Sequence, residues 1–395
     1  MKAPLAGLRI LSVEQFGAGP YGSLYLANLG AEVIKIEQPG TGDPARQMGR
    51  WRLGDDDSDY YQTFNLAKRS LTLDLKRAEG REILHRLAAR SDAVMNNLRG
   101  SQPSRLGLDY ASLAPHNRAI VCGHISAYGR DNERADWPGY DYLMQAEAGF
   151  CSLTGEPDTP PARFGLSVID FMTGVVGALG LVAALRRAEQ TGEGGDVDVS
   201  LFDVALHQLT YPGTWYLNRG EVTGRLPRGA HPYASPSQLC RTRDGWIFIM
   251  CMTQKFWEIL LDIIERPDLA EDARFRDLAA RSDHRDELTA VLDGVLAERD
   301  SADWLGRMQG RIPAAPVLDV PAALDNPFAR AVGMVEDTPH PEHPSFRSLA
   351  NPIRIDGERA PGAPGAGLGA DSDALLEELG YTAEQIEALR GEGVV

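Results

Sequence analysis

The amino-acid sequence predicts an α/β fold, in which a large domain with a Rossmann-like parallel sheet is followed by a smaller α+β domain. Three observations lead to this prediction. Short apolar runs alternate with helical patterns over the first two hundred residues, which is typical of a parallel sheet with helices on both faces. Residues 219–235, rich in Gly, Pro and Arg, interrupt the alternation. One strand pattern and three helical patterns then follow.

The predicted strands of the large domain are short and rich in Val, Ile and Leu. They cover residues 8–14, 31–37, 71–75, 92–98, 118–126 and the beginning of 196–212. The helical patterns between them cover residues 20–30, 79–90, a short segment near 109–114, 170–194 and the end of 196–212. The first helix has Pro20 in its first turn and Gly30 at its end, and both residue types mark helix boundaries.

In the small domain the sequence predicts a strand at 244–250 and helices at 255–265, 285–298 and 301–309. A surface loop rich in Pro, Gly and Ala follows at 357–372, and a last amphipathic helix spans 382–389. We therefore divide the chain into four parts. Residues 1–218 begin the large domain, 219–235 form a linker, 236–322 form the small domain, and 323–395 return to complete the large domain.

Composition excludes several classes of protein. With 43% hydrophobic and 24% charged residues, the 395-residue chain has ordinary globular composition. A net charge of −16 argues against non-specific binding to nucleic acid or to an anionic membrane. The four cysteines lack metal-site spacing, which predicts free thiols in a reducing compartment and no metal centre. No signal peptide is recognised and no apolar run approaches ~18 residues, so we expect a cytoplasmic protein without a membrane segment.

A glycine motif follows the first predicted strand. Gly17, Gly19 and Gly22 fit GxGxxG, and Glu37 ends the next strand, twenty residues beyond Gly17. This pattern is typical of dinucleotide binding, in which glycines admit a pyrophosphate and the acid binds a ribose. Pro20 removes one of the N–H donors that the phosphate would use. A tight strand-to-helix turn and a loop for a different nucleotide-like ligand together explain the motif better than NAD binding does.

Several cations lie at or just beyond predicted strand ends, where ligands of open α/β sheets bind. They are Lys68, Arg69, Lys76, Arg99 and Arg105. On so acidic a protein a local group of cations could bind phosphates. Taken singly, each of them is more simply a solvated surface charge.

Asp170 stands at the start of the glycine-rich helical pattern. The simple interpretation is a helix cap. Its flanks are apolar, however, and Gly174, Gly177 and Gly180 form a thin helix face that lets a backbone, a subunit or a ligand come close. A partly desolvated carboxylate at a helix N-terminus is also a usable nucleophile, because the positive end of the helix dipole favours the ionised form.

Together these segments resemble the class III CoA-transferase family, which includes the formyl-CoA transferases and is related to the α-methylacyl-CoA racemases. The resemblance includes LAGLRILSVEQFGAGPYG, NLAKRSLTLDLK, NNLRGSQPSRLGL, PGYDYLMQAEAG, DFMTGVVGALG, LFDVAL, ARFRDLAARSDHRDEL and IPAAPVLDV. These segments occur in the family's order over most of the chain.

The resemblance implies a set of site residues. Asp170 occupies the position of the family's catalytic aspartate. The positions implied to contact CoA are Gln15, Phe16, Gly17, Ala18, Leu73, Lys76, Asn97, Arg105 and Tyr140, the last as an aromatic residue near the active site. The resemblance further implies an intertwined homodimer, CoA and acyl-CoA as substrates, and no permanently bound cofactor.

The implied reaction transfers CoA from an acyl-CoA to a free carboxylic acid through an aspartyl anhydride and an aspartyl-CoA thioester. Three alternatives stay open at this point. They are an acyl-CoA racemase or epimerase, in which a histidine would stand at Tyr140, an NAD-dependent oxidoreductase, and a non-catalytic CoA-binding subunit. For a dicarboxylic substrate, Arg46 or Arg228 could hold the distal carboxylate, although each is more simply a surface charge.

Overall fold

The computed structural model describes residues 3–395, which form two compact units. The first unit comprises the residues up to Ala148, Gly165–Gln208 and Pro327–Val395. The second comprises Gly149–Phe164 and Leu209–Asn326.

The first unit is built from strands and helices that alternate along the chain. Its first eight strands are β1 (Arg9–Val13), β2 (Glu32–Glu37), β3 (Arg52–Gly54), β4 (Asp57–Ser58), β5 (Arg69–Thr72), β6 (Ala93–Asn96), β7 (Val121–Ser126) and β8 (Gly195–Ser200). Its first eight helices are α1 (Ala18–Asn28), α2 (Asp59–Asn65), α3 (Ala78–Ala88), α4 (Gln102–Leu106), α5 (Tyr110–Leu113), α6 (Asp141–Glu147), α7 (Val168–Thr191) and α8 (Leu201–His207).

Six of these strands form one parallel sheet in the order β5-β2-β1-β6-β7-β8. This confirms the predicted α/β fold. The sheet is parallel because each strand returns through a helix, and the central strands are almost continuously buried, as such sheets require. The carboxyl ends of β1, β6 and β7 therefore lie side by side, which positions the loops that follow them.

Helix α7 packs against α1, β7 and β8. Its 24 residues reach a mean hydropathy of 2.1 over an 18-residue window, so by length and composition alone it could cross a membrane. The expectation from the sequence concerned uninterrupted apolar runs, whereas a window average continues across Gly177 and Gly180, because the apolar residues around them outweigh their low hydropathy. Within the protein 44% of this window is buried, which corresponds to one side of the helix.

The second unit has its own sheet and core. Its strands β9 (Ser237–Arg241), β10 (Trp246–Met250) and β11 (Ala314–Pro316) form an antiparallel sheet in the order β11-β10-β9. Its helices are α9 (Thr210–Arg219), α10 (Gln254–Ile263), α11 (Leu278–Asp283), α12 (Arg285–Leu296), α13 (Ser301–Met308) and α14 (Val320–Leu324). Trp257 and Phe275 are fully buried in its core.

The C-terminal segment returns to the first unit. It contains α15 (Pro327–Ala331), β12 (Val335–Asp337), β13 (Arg347–Leu349), α16 (Ser372–Glu378) and α17 (Ala383–Gly391). Asp371 accepts a hydrogen bond from the Ser70 N–H at 2.9 Å, and the Ser372 hydroxyl accepts one from the Thr72 N–H at 3.1 Å. The segment thereby covers the edge strand β5.

The compact units and the predicted domains differ at three places, one of which is that residues 323–326 belong to the second unit. Residues 149–164, and the stretch 209–235 that contains α9, belong to the second unit. Composition alone marked the Gly/Pro-rich stretch as a linker, but it carries no information about which core a neighbouring helix joins. The boundaries at 218, 235 and 322 stay predictions for independently folding domains.

Candidate active site

A pocket of about 250 Å³ opens at the carboxyl ends of β1, β6 and β7. This is the edge at which open parallel sheets bind ligands. Its lining residues are Gln15, Phe16, Gly17, Ala18, Asn97, Leu98, Arg99, Ile125, Ser126, Ala127, Pro138, Gly139, Tyr140, Asp170 and Leu201. Seven of the ten predicted site residues therefore meet here, although they come from four separate stretches of sequence.

Asp170 faces the loop that follows β1. A β-carbon placed on Gly17 would lie 3.3 Å from Asp170 Oδ2, so only glycine leaves the carboxylate unobstructed. The neighbouring Phe171 ring packs against Tyr21 and Phe64, with ring centroids 4.8 and 5.7 Å away. These rings exclude water from one side of the carboxylate.

The approach of α7 to α1 depends on two glycines. A β-carbon on Gly22 would lie 2.5 Å from the Gly174 carbonyl oxygen, and one on Gly174 would lie 2.4 Å from the Ala18 carbonyl oxygen. The helices therefore cross with their backbones in contact, one turn after Asp170. The glycine face of α7 is therefore filled by the same chain. Gly174 contacts the backbone of α1, and Gly177 and Gly180 face the side chains of Ile125 and Val197.

Asp170 is not the cap of its own helix. Asp141, at the start of α6, accepts hydrogen bonds from the N–H groups of Ile169 and Asp170 at 2.6 and 3.1 Å. The interpretation of Asp170 as a local cap is therefore wrong. These two first-turn N–H groups are already engaged, so they are not free for a substrate oxyanion.

The environment of Asp170 favours its neutral form. Burial raises the pKa of Asp170 to about 7, and the negative charge of Asp141 adds to the shift. Tyr60 on α2 also lies in this field, because burial and the charges of Asp170 and Asp43 raise its pKa. At neutral pH Asp170 is therefore ionised in a substantial fraction of the molecules, and its carboxylate is only partly solvated. Both properties suit a carboxylate nucleophile.

The loop facing Asp170 is held by side chains from other strands. Asn97 accepts from the Gln15 N–H at 2.9 Å and donates to the Gln15 carbonyl at 2.7 Å. Phe16, which has a φ of 61°, donates its N–H to Asp43 at 3.2 Å. A bulky residue in this region of φ is strained and needs such support. Asn97, predicted to approach CoA, thus also fixes the loop that lines the pocket.

A buried ionic cluster lies behind this loop. Lys35 pairs with Asp43 at 2.9 Å and donates to the Glu14 carbonyl at 2.8 Å. Lys68 pairs with Glu14 at 3.0 Å and donates to the Pro20 carbonyl at 2.9 Å, and burial lowers its pKa to about 8. The sequence suggested Lys68 as a phosphate ligand, but the structure gives it this internal role.

Two other cations that the sequence suggested as ligands for a substrate already have carboxylate partners. Arg69 pairs with Glu32 and Asp371. Arg228 binds both carboxylate oxygens of Asp293 in the second unit. Neither is free to bind a substrate carboxylate or phosphate without losing these partners.

Glu37 is not available to a ribose. It is 4% exposed, accepts two hydrogen bonds from the buried Arg46 at 2.7 and 2.8 Å, and accepts a third from Ser70 at 2.7 Å. The idea that Arg46 is a surface charge or a substrate ligand is therefore wrong. The space at Gly19 is occupied by Glu14 and Asn97, and Gly22 contacts Gly174 of α7, so these glycines are explained by close packing within the chain.

Three predicted CoA contacts lie outside this pocket lining. Leu73 is buried in the hydrophobic core of the sheet, whereas Lys76 and Arg105 are exposed. Tyr140 lines the pocket and is 62% exposed. None of the pocket-lining residues in the described chain is a histidine, so the acid/base partner that a racemase uses is missing from this lining.

Sequence reasoning missed Asp141, Ile125 and Leu201. The last two are ordinary apolar residues that no local pattern distinguishes. Asp141 had a signal, since an acidic residue shortly after Pro138 and Gly139 is typical of the first turn of a helix. Only the fold shows that it caps a different helix, 28 residues further on.

Comparisons with known proteins identify the family of the chain. The model of CoA-transferase family III matches residues 5–372. Acetyl-CoA:oxalate CoA-transferase of Acetobacter aceti is 33% identical over 92% of this chain and 93% of its own length. Succinate–glutarate CoA-transferase of Agrobacterium fabrum is 32% identical over 85% of each chain. The crystal structure of a CaiB/BaiF family protein from Brucella suis matches with a TM-score of 0.84 and 31% identity, covering 96% of this chain and 100% of its own.

Proposed function

The chain belongs to CoA-transferase family III, and we propose that it transfers CoA from an acyl-CoA to a free carboxylic acid through covalent intermediates on Asp170. The observation that carries this proposal is the position of the Asp170 carboxylate beside Gly17, in a pocket at the carboxyl ends of three adjacent parallel strands. The carboxylate is partly desolvated there, and Gly17 places no side chain against it.

The first half of the reaction frees the donor acid. An oxygen of ionised Asp170 attacks the thioester carbonyl carbon, the carbon–sulfur bond breaks, and CoA leaves as a thiolate. The product is a mixed anhydride of Asp170 and the donor acyl group. The thiolate then attacks the Asp170 carbonyl carbon, which releases the donor carboxylate and leaves an aspartyl-CoA thioester.

The second half reverses these steps with a new acid. The acceptor carboxylate attacks the aspartyl-CoA carbonyl carbon and expels the CoA thiolate, giving a second anhydride. The thiolate attacks the acceptor acyl carbon, which forms the new acyl-CoA and restores the Asp170 carboxylate. Charge and protons balance without an external base, so the protein has to supply an ionised nucleophile and oxyanion stabilisation.

The N-terminus of α1 is the best source of that stabilisation. Helix α1 begins one residue after Gly17, and in the described part of the chain no acceptor is found for the N–H groups of Ala18 and Gly19. Free N–H groups and the positive end of the helix dipole favour developing negative charge. The first turn of α7 cannot supply it in the same way, because Asp141 already accepts the N–H groups of Ile169 and Asp170.

Substrates follow from the site and from the relatives. Arg99 is exposed at the pocket, and Lys76 and Arg105 are exposed on the same unit, so we assign them to the phosphates of CoA. The names of the relatives specify oxalate and glutarate, which supports small carboxylic acids as acceptors. We further propose that the enzyme needs no permanently bound cofactor and is cytoplasmic.

Substitution of Asp170 tests the proposed mechanism. Succinyl-CoA is incubated with a panel of free acids, and new CoA esters are identified by mass. Asp170→Asn and Asp170→Ala should fold but lose transfer by several powers of ten, as for other covalent catalysts. Asp109→Asn is the matched control, because Asp109 caps α5 outside the pocket lining.

Trapping gives a second readout. Hydroxylamine added to the parent enzyme with acyl-CoA should yield a modified Asp170 peptide, and the Asn variant should not. Transfer at a near-parental rate by either Asp170 variant would exclude this mechanism.

A further inference from the structure

The first turn of α7 has no cap of its own. Ser167 stands at the N-cap position, but its side chain makes no capping hydrogen bond. Asp141 takes that place from another helix, and a single oxygen, Oδ2, receives the N–H groups of both Ile169 and Asp170. A charged acceptor makes such bonds stronger than a neutral cap would.

Asp141 is itself rigidly held. It is 2% exposed, and its second oxygen accepts a hydrogen bond from Gln145 Nε2 at 2.5 Å. Gln145 also donates to the Leu166 carbonyl at 3.1 Å, two residues before α7 begins. Helix α6 is therefore linked to the start of α7 on both sides of Ser167.

We propose that Asp141 is a positioning residue for the transfer reaction, which holds the first turn of α7 so that the Asp170 carboxylate faces Gly17, and whose charge tunes the ionisation of Asp170. This inference rests on the proposed function, in which Asp170 is the nucleophile. Asp141 acts in two ways. Its hydrogen bonds fix the backbone that carries the nucleophile, and its negative charge makes the nearby carboxylate harder to ionise.

The other groups around Asp170 do not replace this effect. Tyr60 on α2 stays a neutral phenol, because burial and then the charge of Asp170 raise its pKa. Asp43 is buried and paired with Lys35. From α1, the neighbour is the uncharged Tyr21 ring. Among these groups, Asp141 is therefore the acidic charge that acts most directly on the ionisation of Asp170.

The test compares Asp141→Asn and Asp141→Ala with the parent and with Asp109→Asn. The rate of aspartyl-CoA formation in a single turnover, and the KM for succinyl-CoA, are measured from pH 5 to 9. We expect kcat to fall roughly 10- to 100-fold, as expected for a misplaced nucleophile, with a smaller effect on KM because the loop Gln15–Ala18 and the exposed cations lie on other elements. The acid limb of the rate should move to lower pH in both Asp141 variants and stay in place in Asp109→Asn.

A merely structural cap would lower the amount of folded enzyme without moving the acid limb, so that result would overturn the proposal. Parental kcat together with a parental acid limb in Asp141→Asn would overturn it as well. Asp141→Asn keeps the side-chain size and one acceptor oxygen, so it decides the question if Asp141→Ala does not fold. Activity in Asp170→Asn would instead refute the proposed function, which separates the two failures.

Discussion

At the level of single residues, Asp170 is set apart by its titration. Burial and then the Asp141 charge raise its pKa to about 7 in the folded protein, whereas an aspartate in an unfolded chain titrates at about 4. A raised acid pKa means that the folded state holds the proton more tightly. The contribution of this group to stability is therefore fully present below about pH 4 and is lost as pH rises through about 7.

Replacing Asp170 by Asn removes this pH dependence. Since Asn cannot ionise, the melting temperature of Asp170→Asn relative to the parent should be higher at pH 8 than at pH 4. Asp109→Asn should show the opposite trend, because hydrogen bonds from Ser104 and Ser112 lower the pKa of Asp109 despite desolvation by burial. Thermal unfolding of the three proteins across this range checks both signs. A parallel change in all three would contradict the raised pKa of Asp170.

At the level of elements, the crossing of α1 and α7 controls where Asp170 stands. Gly174→Ala places a methyl group 2.4 Å from the Ala18 carbonyl oxygen, so the two helices have to separate. We expect a loss of about 1–3 kcal/mol in unfolding free energy, and a lower kcat because Asp170 moves away from Gly17. Denaturant unfolding and steady-state transfer rates on the same variant measure the two effects.

Gly180→Ala is the control on the same helix. Its methyl group would meet only the end of the Val197 side chain, at 3.0 Å. The tight contact with Val197 costs stability, but alanine favours a helix by about 1 kcal/mol over glycine. Because the two effects oppose each other, we expect the unfolding free energy to stay nearly unchanged. Equal destabilisation by both substitutions would show that any methyl group added to this face is costly, and that the backbone crossing at Gly174 has no special effect.

These elements also show how far the sequence alone could lead. The strands and helices of the large domain followed from apolar patterns that repeat locally, and β1, β2 and α7 were predicted within a few residues. Short elements such as α2 and α6 were not predicted, because their side chains pack on several partners instead of showing one apolar stripe. The cap of α7 by Asp141 and the pairing of Lys68 with Glu14 join residues far apart in sequence. Local patterns contain no information on such pairs.

At the level of the whole molecule, the outer face of α7 is notable because it exposes apolar side chains. The glycine face that first suggested a subunit contact is filled by α1, β7 and β8 of the same chain. The opposite face carries Val175 and Leu179, which are 41% and 67% exposed. Full burial of one such side chain stabilises an association by roughly 1.5–3 kcal/mol. The homodimer expected from the family resemblance therefore gains support from a different face of the helix.

We predict that the protein is a homodimer and that this outer face contributes to it. Light scattering at micromolar concentration should give twice the chain mass of 43.0 kDa. Leu179→Lys places a charge in the proposed contact, which is costly to bury without a partner, and should shift the mass towards that of the single chain. Leu349→Lys changes a residue on β13 that is 61% exposed, and should leave the mass unchanged. A parental mass of 43.0 kDa would exclude the dimer. A dimer that Leu179→Lys leaves intact would instead move the contact to another surface, because a lysine at its centre could not be accommodated without loss of affinity.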